Sequence, residues 1–307
     1  MKIVVAGGTG FIGRELLQAL AKDHTVVCLT RKTPGSPFDR VEYLLWDGCT
    51  VGSWAPALEG VDAVINLAGE SIGAKRWTTR QKKSIVDSRV NATRSIVQAM
   101  SGAMKKPAVL INGSAVGYYG NVPDGDVFES HPPGSGFLAE TCVQWEEEAK
   151  KASTLGIRVV CIRTGVVLGH GSEALSRITL PYKLFVGGPV GSGRQWFPWI
   201  HKKDIVGLIC FALQTQSVSG ALNAVAPDVV TMKEFSKGLG KAMRRPSLFP
   251  VPALVLKLAL GEMSDMVLSG QKVVPTVATK AGYVFKFSSL ESALADLFRG
   301  MKALSHD

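Results

Sequence analysis

The sequence predicts an α/β fold, a doubly wound parallel sheet with helices on both faces and a smaller C-terminal region. Three observations predict it. Short apolar runs alternate with helix-like segments through the first half, the runs are apolar at every residue, and a glycine-rich turn joins the first run to the first helix. Strands buried on both faces need such continuous runs, and parallel neighbours need helical crossovers between them.

The strand candidates are KIVVAG, TVVCLT, VEYLLWD, VDAVINLAG, AVLING and RVVCIRTGVVLG. Helix candidates fall between several of them: RELLQALAKD, RQKKSIVDSRVNATRSIVQAM and ETCVQWEEEAKKA. After Gly169 the rhythm changes to a glycine-rich GGPVGSGRQWFPWIH, a helix candidate KKDIVGLICFALQT, a short strand ALNAVA and the helix TMKEFSKGLGKAM. Thr231 and Glu234 have capping-box spacing, which marks where that last helix starts. A proline-rich break, RRPSLFPVP, precedes a final segment from residue 253 to 307, with two helix candidates around QKVVPTVATKAGYVF.

A chain of 307 residues with 46% hydrophobic and 20% charged side chains buries a large core and is not disordered. No apolar run approaches the ~18 residues needed to span a bilayer, and Met1 leads straight into a strand, so a cytoplasmic location and no membrane partner are expected. Five scattered cysteines, none in a Cys-x-x-Cys pair, argue against a disulfide framework. The histidines have no ligand spacing, so no metal is expected. Much of the net charge of +10 is local: Lys75, Arg76, Arg80, Lys82, Lys83, Arg89 and Arg94 face one acid, Asp87. A solvated helix face and a phosphate-attracting rim both account for that run. Without interleaved aromatics or a nucleic-acid motif, no nucleic-acid partner is expected.

The turn Gly7-Gly8-Thr9-Gly10-Phe11-Ile12-Gly13 lies between an apolar strand and a helix whose apolar face continues through Leu16, Leu17 and Leu20. Glycines there let the backbone approach a pyrophosphate, whose charge the helix N-terminus stabilises. Gly7, Thr9, Gly10, Phe11, Ile12 and Gly13 are therefore cofactor-site candidates in a Rossmann-type dinucleotide-binding domain, expected over residues 1–169. The second strand ends in Thr30-Arg31-Lys32, and no acid follows until Asp39. An acid there would bind a ribose 2′-hydroxyl, whereas Arg31 suits a 2′-phosphate, so NADP(H) is favoured, with Thr30 and Arg31 in the site. Asp47 either accepts from the adenine amino group or closes an ordinary turn.

NLAGE (66–70), VNATRSIVQAM, INGSAVGYYG (111–120), RTGVVLG, WIHKKDIV and GALNAVAP together resemble the landmarks of an extended short-chain dehydrogenase/reductase of the sugar-nucleotide epimerase kind. GGPVGSGRQWFPWIHKKD and the last residues are similar to the divergent epimerase family protein branch, which carries a C-terminal domain of unknown function. The resemblance implies that Leu67, Ala68 and Gly69 line the cofactor. It also implies that Arg89 reaches the cofactor phosphates, that Arg163 is a further cofactor candidate, and that Ser114 is the active-site serine. It further implies a smaller substrate region at 170–307, with a family-type module at about 248–297.

That superfamily moves hydride with a tyrosine and a lysine four residues later on one helix face, where the ammonium lowers the tyrosine pKa. Four residues after Tyr43, Tyr118, Tyr119, Tyr182 and Tyr283 stand Asp47, Val122, Pro123, Val186 and Phe287, none of them lysine. On the helix containing FLAETCVQWE the pair corresponds to Leu138 and Cys142 in one register, or Phe137 and Thr141 in the next. The catalytic candidates left are Ser114, Tyr118 and Tyr119. Glu70, Arg194, Gln195, Trp196 and His201 are the substrate-side candidates, since flexible glycines, aromatics and an arginine suit a loop that closes over an anionic ring compound. Two functions stay open: an NADP(H)-dependent oxidoreductase or epimerase-like enzyme acting on a small molecule, and a catalytically degenerate NADP(H)-binding regulator that recruits a protein partner. Oligomeric state is not legible. A hydrolase is disfavoured because no Gly-x-Ser-x-Gly elbow occurs.

Overall fold

The computed structural model describes residues 1–299, so positions 300–307 of the expected substrate region lie outside the described residues. The first half runs β1 (Lys2–Ala6), α1 (Phe11–Leu20), β2 (Thr25–Thr30), β3 (Val41–Leu45), β4 (Ala63–Asn66), α2 (Thr79–Gly102), β5 (Val109–Ala115), β6 (Val122–Val127), α3 (Phe137–Lys150) and β7 (Arg158–Thr164). Then come β8 (Val166–Leu168), α4 (Glu173–Lys183), β9 (Trp196–Phe197), β10 (Trp199–His201), α5 (Lys202–Gln214), β11 (Gly220–Ala224), β12 (Val230–Thr231) and α6 (Met232–Met243). The C-terminal elements are α7 (Ala253–Leu260), α8 (Asp265–Leu268), β13 (Gln271–Val273), α9 (Thr276–Lys280) and α10 (Leu290–Phe298).

Seven strands form the main sheet in the order β3-β2-β1-β4-β5-β7-β11, every pairing parallel. The doubly wound fold predicted from the apolar runs is present. Alternate strand residues divide between two cores. Ile3, Val5, Cys28, Ile65, Ile111 and Ile162 meet Leu16 and Leu17 of α1 and Ile205 and Ile209 of α5 on one face. Val4, Val27, Leu29, Val64, Leu110 and Val159 meet Ala92, Ile96 and Met100 of α2 and Ala149 of α3 on the other. Strand order reverses between β1 and β4, which opens a crevice at the carboxyl ends of the strands.

RVVCIRTGVVLG is not one strand. It breaks at Gly165, where a Cβ would lie 2.7 Å from the Pro198 carbonyl oxygen, and β8 leaves the main sheet to pair with β10. ALNAVA supplies β11, which joins the far edge of the main sheet. A third core of Tyr182, Phe197, Trp199, Phe235, Leu239 and Leu294 ties α4, α6 and α10 together. The Thr231–Glu234 capping box is present in both directions, with Glu234 N donating to Thr231 Oγ1 at 3.3 Å and Thr231 N to Glu234 Oε2 at 2.7 Å. Helix α4 and the β6–β13 pairing are absent from the sequence-based expectation. Ser172 caps α4, but Pro181 interrupts its helical pattern, and β6 is VPDGDV, mostly exposed and without alternation.

Asp204, in the first turn of α5, is fully buried and holds the C-terminal segment to the sheet. Its carboxylate accepts from Lys286 N at 2.7 Å, from Phe287 N at 3.0 Å and from the Tyr283 hydroxyl at 3.3 Å. Asp204→Ala leaves those donors without their acceptor, the Phe287 amide in the interior. We expect a stability loss of ~3 kcal/mol, read as a lower urea midpoint with an unchanged slope.

Candidate functional site

The glycine turn and the end of β4 face each other across the crevice. Gly7 has φ +76°, and a Cβ there would lie 2.6 Å from the Leu67 carbonyl carbon. A Cβ on Gly13 would collide with the Gly7 carbonyl oxygen, so helix α1 seats directly on the turn. Gly10 N donates to Gly7 O at 3.0 Å, and α1 starts after Gly10 without a side-chain cap. The amides of its first turn are thus free of any capping side chain beside the exposed Thr9 and Gly10, which fits a pyrophosphate. The Phe11 ring lies 4.9 Å from Lys202 Nζ, and Ile12 packs against the core.

At the end of β2, the buried Thr30 hydroxyl donates to Lys32 O at 2.8 Å and shapes the bend that turns Arg31 outward. Arg31 is exposed and, among the described residues, has no carboxylate partner. Asp47 closes its own turn, accepting from the Thr50 hydroxyl at 2.5 Å and from Cys49 N and Thr50 N at 2.8 Å each. Those bonds, the Thr50 hydroxyl foremost, hold its carboxyl well below the usual range.

Behind Leu67, Ala68 and Gly69 lies a buried amide network that sequence reasoning missed. Asn66 Nδ2 donates to Asn112 Oδ1 at 2.7 Å and to Thr93 Oγ1 at 2.9 Å, while Asn66 Oδ1 accepts from Ala68 N at 3.1 Å. Trp145 Nε1 also donates to Thr93 Oγ1, at 2.9 Å. The available signal was an asparagine ending each of two otherwise apolar strand runs. Arg89 braces the same loop: its guanidinium donates to Glu70 O at 2.9 Å and Ile85 O at 3.0 Å, and lies 5.2 Å from the Trp145 ring centre. Burial pulls its pKa down, and no carboxylate among the described residues pairs with it.

Helix α3 carries both registers in which the acid/base pair is expected. Leu138 packs on Gly117, where a Cβ would be 3.2 Å away, and Cys142 is buried beside Ser114 and the Ala115 main chain. Burial pushes the Cys142 thiol up to about 11, which disfavours the nucleophilic thiolate at neutral pH. Phe137 instead meets Trp77 edge-on at 4.9 Å, and the Thr141 hydroxyl donates back to Phe137 O at 2.6 Å.

Below this helix three of the candidate side chains are drawn into one buried network. Arg163 is 3% exposed and forms a bidentate pair with Glu146, Nε to Oε1 at 2.8 Å and NH2 to Oε2 at 2.9 Å. Its NH1 donates to the Tyr119 hydroxyl at 2.9 Å and to Glu129 O at 3.0 Å. Four of the five Arg163 donors are thus committed inside the protein. Tyr119 is drawn into the same network: its hydroxyl donates to Asn223 Oδ1 at 2.6 Å, and burial pushes its pKa up to about 12. Ser114 is 5% exposed and donates to Glu146 Oε1 at 2.8 Å. Its hydroxyl is occupied in the same network. Tyr118 differs: its ring lies 3.4 Å from the Arg163 guanidinium carbon, it is half-buried, and its hydroxyl bonds to no group among the described residues.

On the substrate side, Gln195 and His201 are structural. Gln195 Nε2 donates to Val190 O at 2.9 Å and Val267 O at 2.8 Å, pinning the loop to the C-terminal segment. His201 is 2% exposed, caps α5 through Nδ1, which accepts from Lys203 N at 3.2 Å, and stacks on Phe287 at 3.9 Å. Trp196 donates to Pro123 O at 2.9 Å and carries Lys272 Nζ 5.3 Å from its ring centre, an anchored position. Arg194 is exposed, its side chain without an ion-pair partner among the described residues. Glu70 accepts from Gln81 Nε2 at 2.9 Å and from the Ser84 hydroxyl, and lines a surface pocket with Lys75, Arg76 and Arg80. Of the basic run, Lys83 and Arg94 are paired with Asp87 and Glu148, whereas these three rim the pocket.

Comparison with known proteins fits this geometry. Residues 3–224 match the model of the NAD dependent epimerase/dehydratase family, and residues 251–297 match a domain of unknown function, DUF1731. The chain is 41% identical over 304 residues to the chloroplastic SDR39U1 homolog, an epimerase family protein of Arabidopsis thaliana, covering 96% of this chain and 86% of that protein. It is 38% identical over 308 residues to the epimerase family protein YfhF of Bacillus subtilis, covering 99% and 100%. The crystal structure of the human epimerase family protein SDR39U1 (isoform 2) with NADPH superposes with a TM-score of 0.88 at 35% identity, covering 98% of this chain and 100% of that one.

Burial lowers the His201 pKa from 6.5 to about 4. Between those values only the unfolded chain takes up the proton, so stability falls as pH falls through that window. His201→Asn keeps a capping side chain without the titration. Urea unfolding from pH 7 to pH 4 should show the wild type losing on the order of 3 kcal/mol more than the variant.

Proposed function

The chain belongs to the NAD dependent epimerase/dehydratase family, and from that membership we propose that it is an NADP(H)-binding oxidoreductase acting on a small molecule without the usual tyrosine–lysine pair. The observation that carries the cofactor assignment is Arg31, exposed beyond β2 and without an ion-pair partner among the described residues, next to a glycine turn that only backbone can fill. An acid is absent where a 2′-hydroxyl would be bound, and a guanidinium is present where a 2′-phosphate would need a counter-charge. The NADPH in the human relative's crystal structure supports the same choice.

When bound, the nicotinamide supplies or accepts the hydride. The chain's own part is to hold the dinucleotide on the glycine turn and α1, to brace Leu67–Gly69 with Arg89, and to present a proton. Tyr118 is the group that supports that last role, because its hydroxyl is uncommitted while Tyr119 and Ser114 are bonded into the Glu146–Arg163 network. A second reading, a cofactor-binding regulator without turnover, is favoured by the side chains in both registers of the expected acid/base pair, Leu138 with Cys142 or Phe137 with Thr141, none of which is a tyrosine or lysine.

Titration with NADPH and NADH should show Arg31→Ala losing NADPH affinity by about ten- to a hundredfold, in line with a lost charge-assisted hydrogen bond, while NADH affinity barely moves. Equal losses for both would refute the assignment. For the chemistry, NADPH-loaded protein is to be screened against aldehydes, ketones and nucleotide sugars. Turnover that disappears in Tyr118→Phe with NADPH affinity intact supports the oxidoreductase reading. Tight NADPH binding without turnover on any of these supports the regulator.

A further inference from the structure

Helix α7, ALVLKLAL, contains no buried residue. A helix apolar on every side ordinarily lies inside a protein or a membrane. Here Leu254 is 68% and Leu258 72% exposed, and the surface they form continues onto the preceding segment, where Leu248 is 74% and Phe249 54% exposed. Leu248 N and Phe249 N both donate to Gly187 O, and Val251 bridges to Val190, so this strip runs beside the end of α4. That end adds Leu184, Phe185 and Val186, all at least half exposed. Phe185 has φ +62°, a strained conformation for a bulky side chain, and it holds the ring at the surface.

The segments that form this face carry only cations, and the first acid beyond them, Glu262, is paired with Lys82 at 2.7 Å. Residues 178–191 and 242–261 contain Lys183, Arg244, Arg245 and Lys257 and no acid. The Arg245 guanidinium carbon sits 4.3 Å from the Phe185 ring centre, within the apolar surface itself. Lys257 projects from α7, where its aliphatic stem can lie along leucines with the ammonium at a polar boundary.

We propose that α7, the strip 244–251 and the loop 184–187 form a docking surface for an anionic lipid bilayer, bound peripherally. Leucines and a phenylalanine enter the boundary of the acyl chains, and the four cations meet the headgroups. A second copy of this chain fits less well, because the two segments bring four cations and no acid of their own to a two-fold contact. Surface attachment needs no spanning segment, and no helix among the described residues is long and apolar enough to provide one.

The test is flotation of the full chain with vesicles of phosphatidylcholine alone and of phosphatidylcholine mixed with phosphatidylglycerol. The chain should float with the mixed vesicles, less so at high salt, and not with phosphatidylcholine alone. Lys257→Gln should weaken partitioning about fivefold. Leu254→Asp combined with Leu258→Asp should abolish flotation while leaving NADPH affinity and circular dichroism unchanged, since neither side chain is buried. The proposal fails if the chain does not float with anionic vesicles, or if the double substitution floats as well as wild type. It fails equally if light scattering shows a dimer that the double substitution dissociates, or if polyglutamate binds this face and vesicles do not.

Discussion

The buried pair between Glu146 and Arg163 is the interaction on which the inner end of the crevice depends. It joins α3 to β7, and through it β5, the segment after β5, and β11 are locked together by Ser114, Tyr119 and Asn223. Two charges taken out of water repay their desolvation only when the geometry is good and their remaining donors and acceptors are used. Here Arg163 donates to Glu146 through two nitrogens and to the Tyr119 hydroxyl and the Glu129 carbonyl through the third. Leaving either charge alone in that interior would be worth about 3–5 kcal/mol of destabilisation. The pair therefore fixes the backbone that carries Tyr118, and it also consumes the groups that would otherwise look catalytic.

Sequence reasoning found what local pattern encodes. The continuous apolar runs, the glycine turn, the capping box at Thr231 and the face of α1 all depend on residues close in the chain, and the structure has each of them. It failed where the partner is distant. Nothing near Arg163 in the chain announces Glu146, and VPDGDV becomes a strand because QKV lies beside it. His201 looked like a substrate contact because it follows a glycine-rich aromatic loop, yet its ring is buried against Phe287, whose position depends on Asp204. In the site, the cofactor half was legible because glycines are demanded by backbone approach. The substrate half was not, because the roles of Gln195 and Trp196 are set by Val267 and Pro123.

The crevice thus joins a demanding half to a permissive one. Around Gly7 and Gly13 no side chain larger than hydrogen fits without displacing backbone. On α3, Leu138 is apolar and the buried Cys142 thiol keeps its proton at neutral pH, so neither serves as a base.

Strand β11 gives the sheet a timing problem during synthesis. It closes the edge next to β7, yet α4, α5 and the paired strands between them must be translated first. That interval is about 55 residues, and at roughly 5–20 residues per second it lasts roughly 3–11 s. Throughout it the ladder of β7 is an open edge on an apolar, nearly complete sheet. The nascent chain is thus most prone to misassembly late in translation, when most of the sheet has already formed.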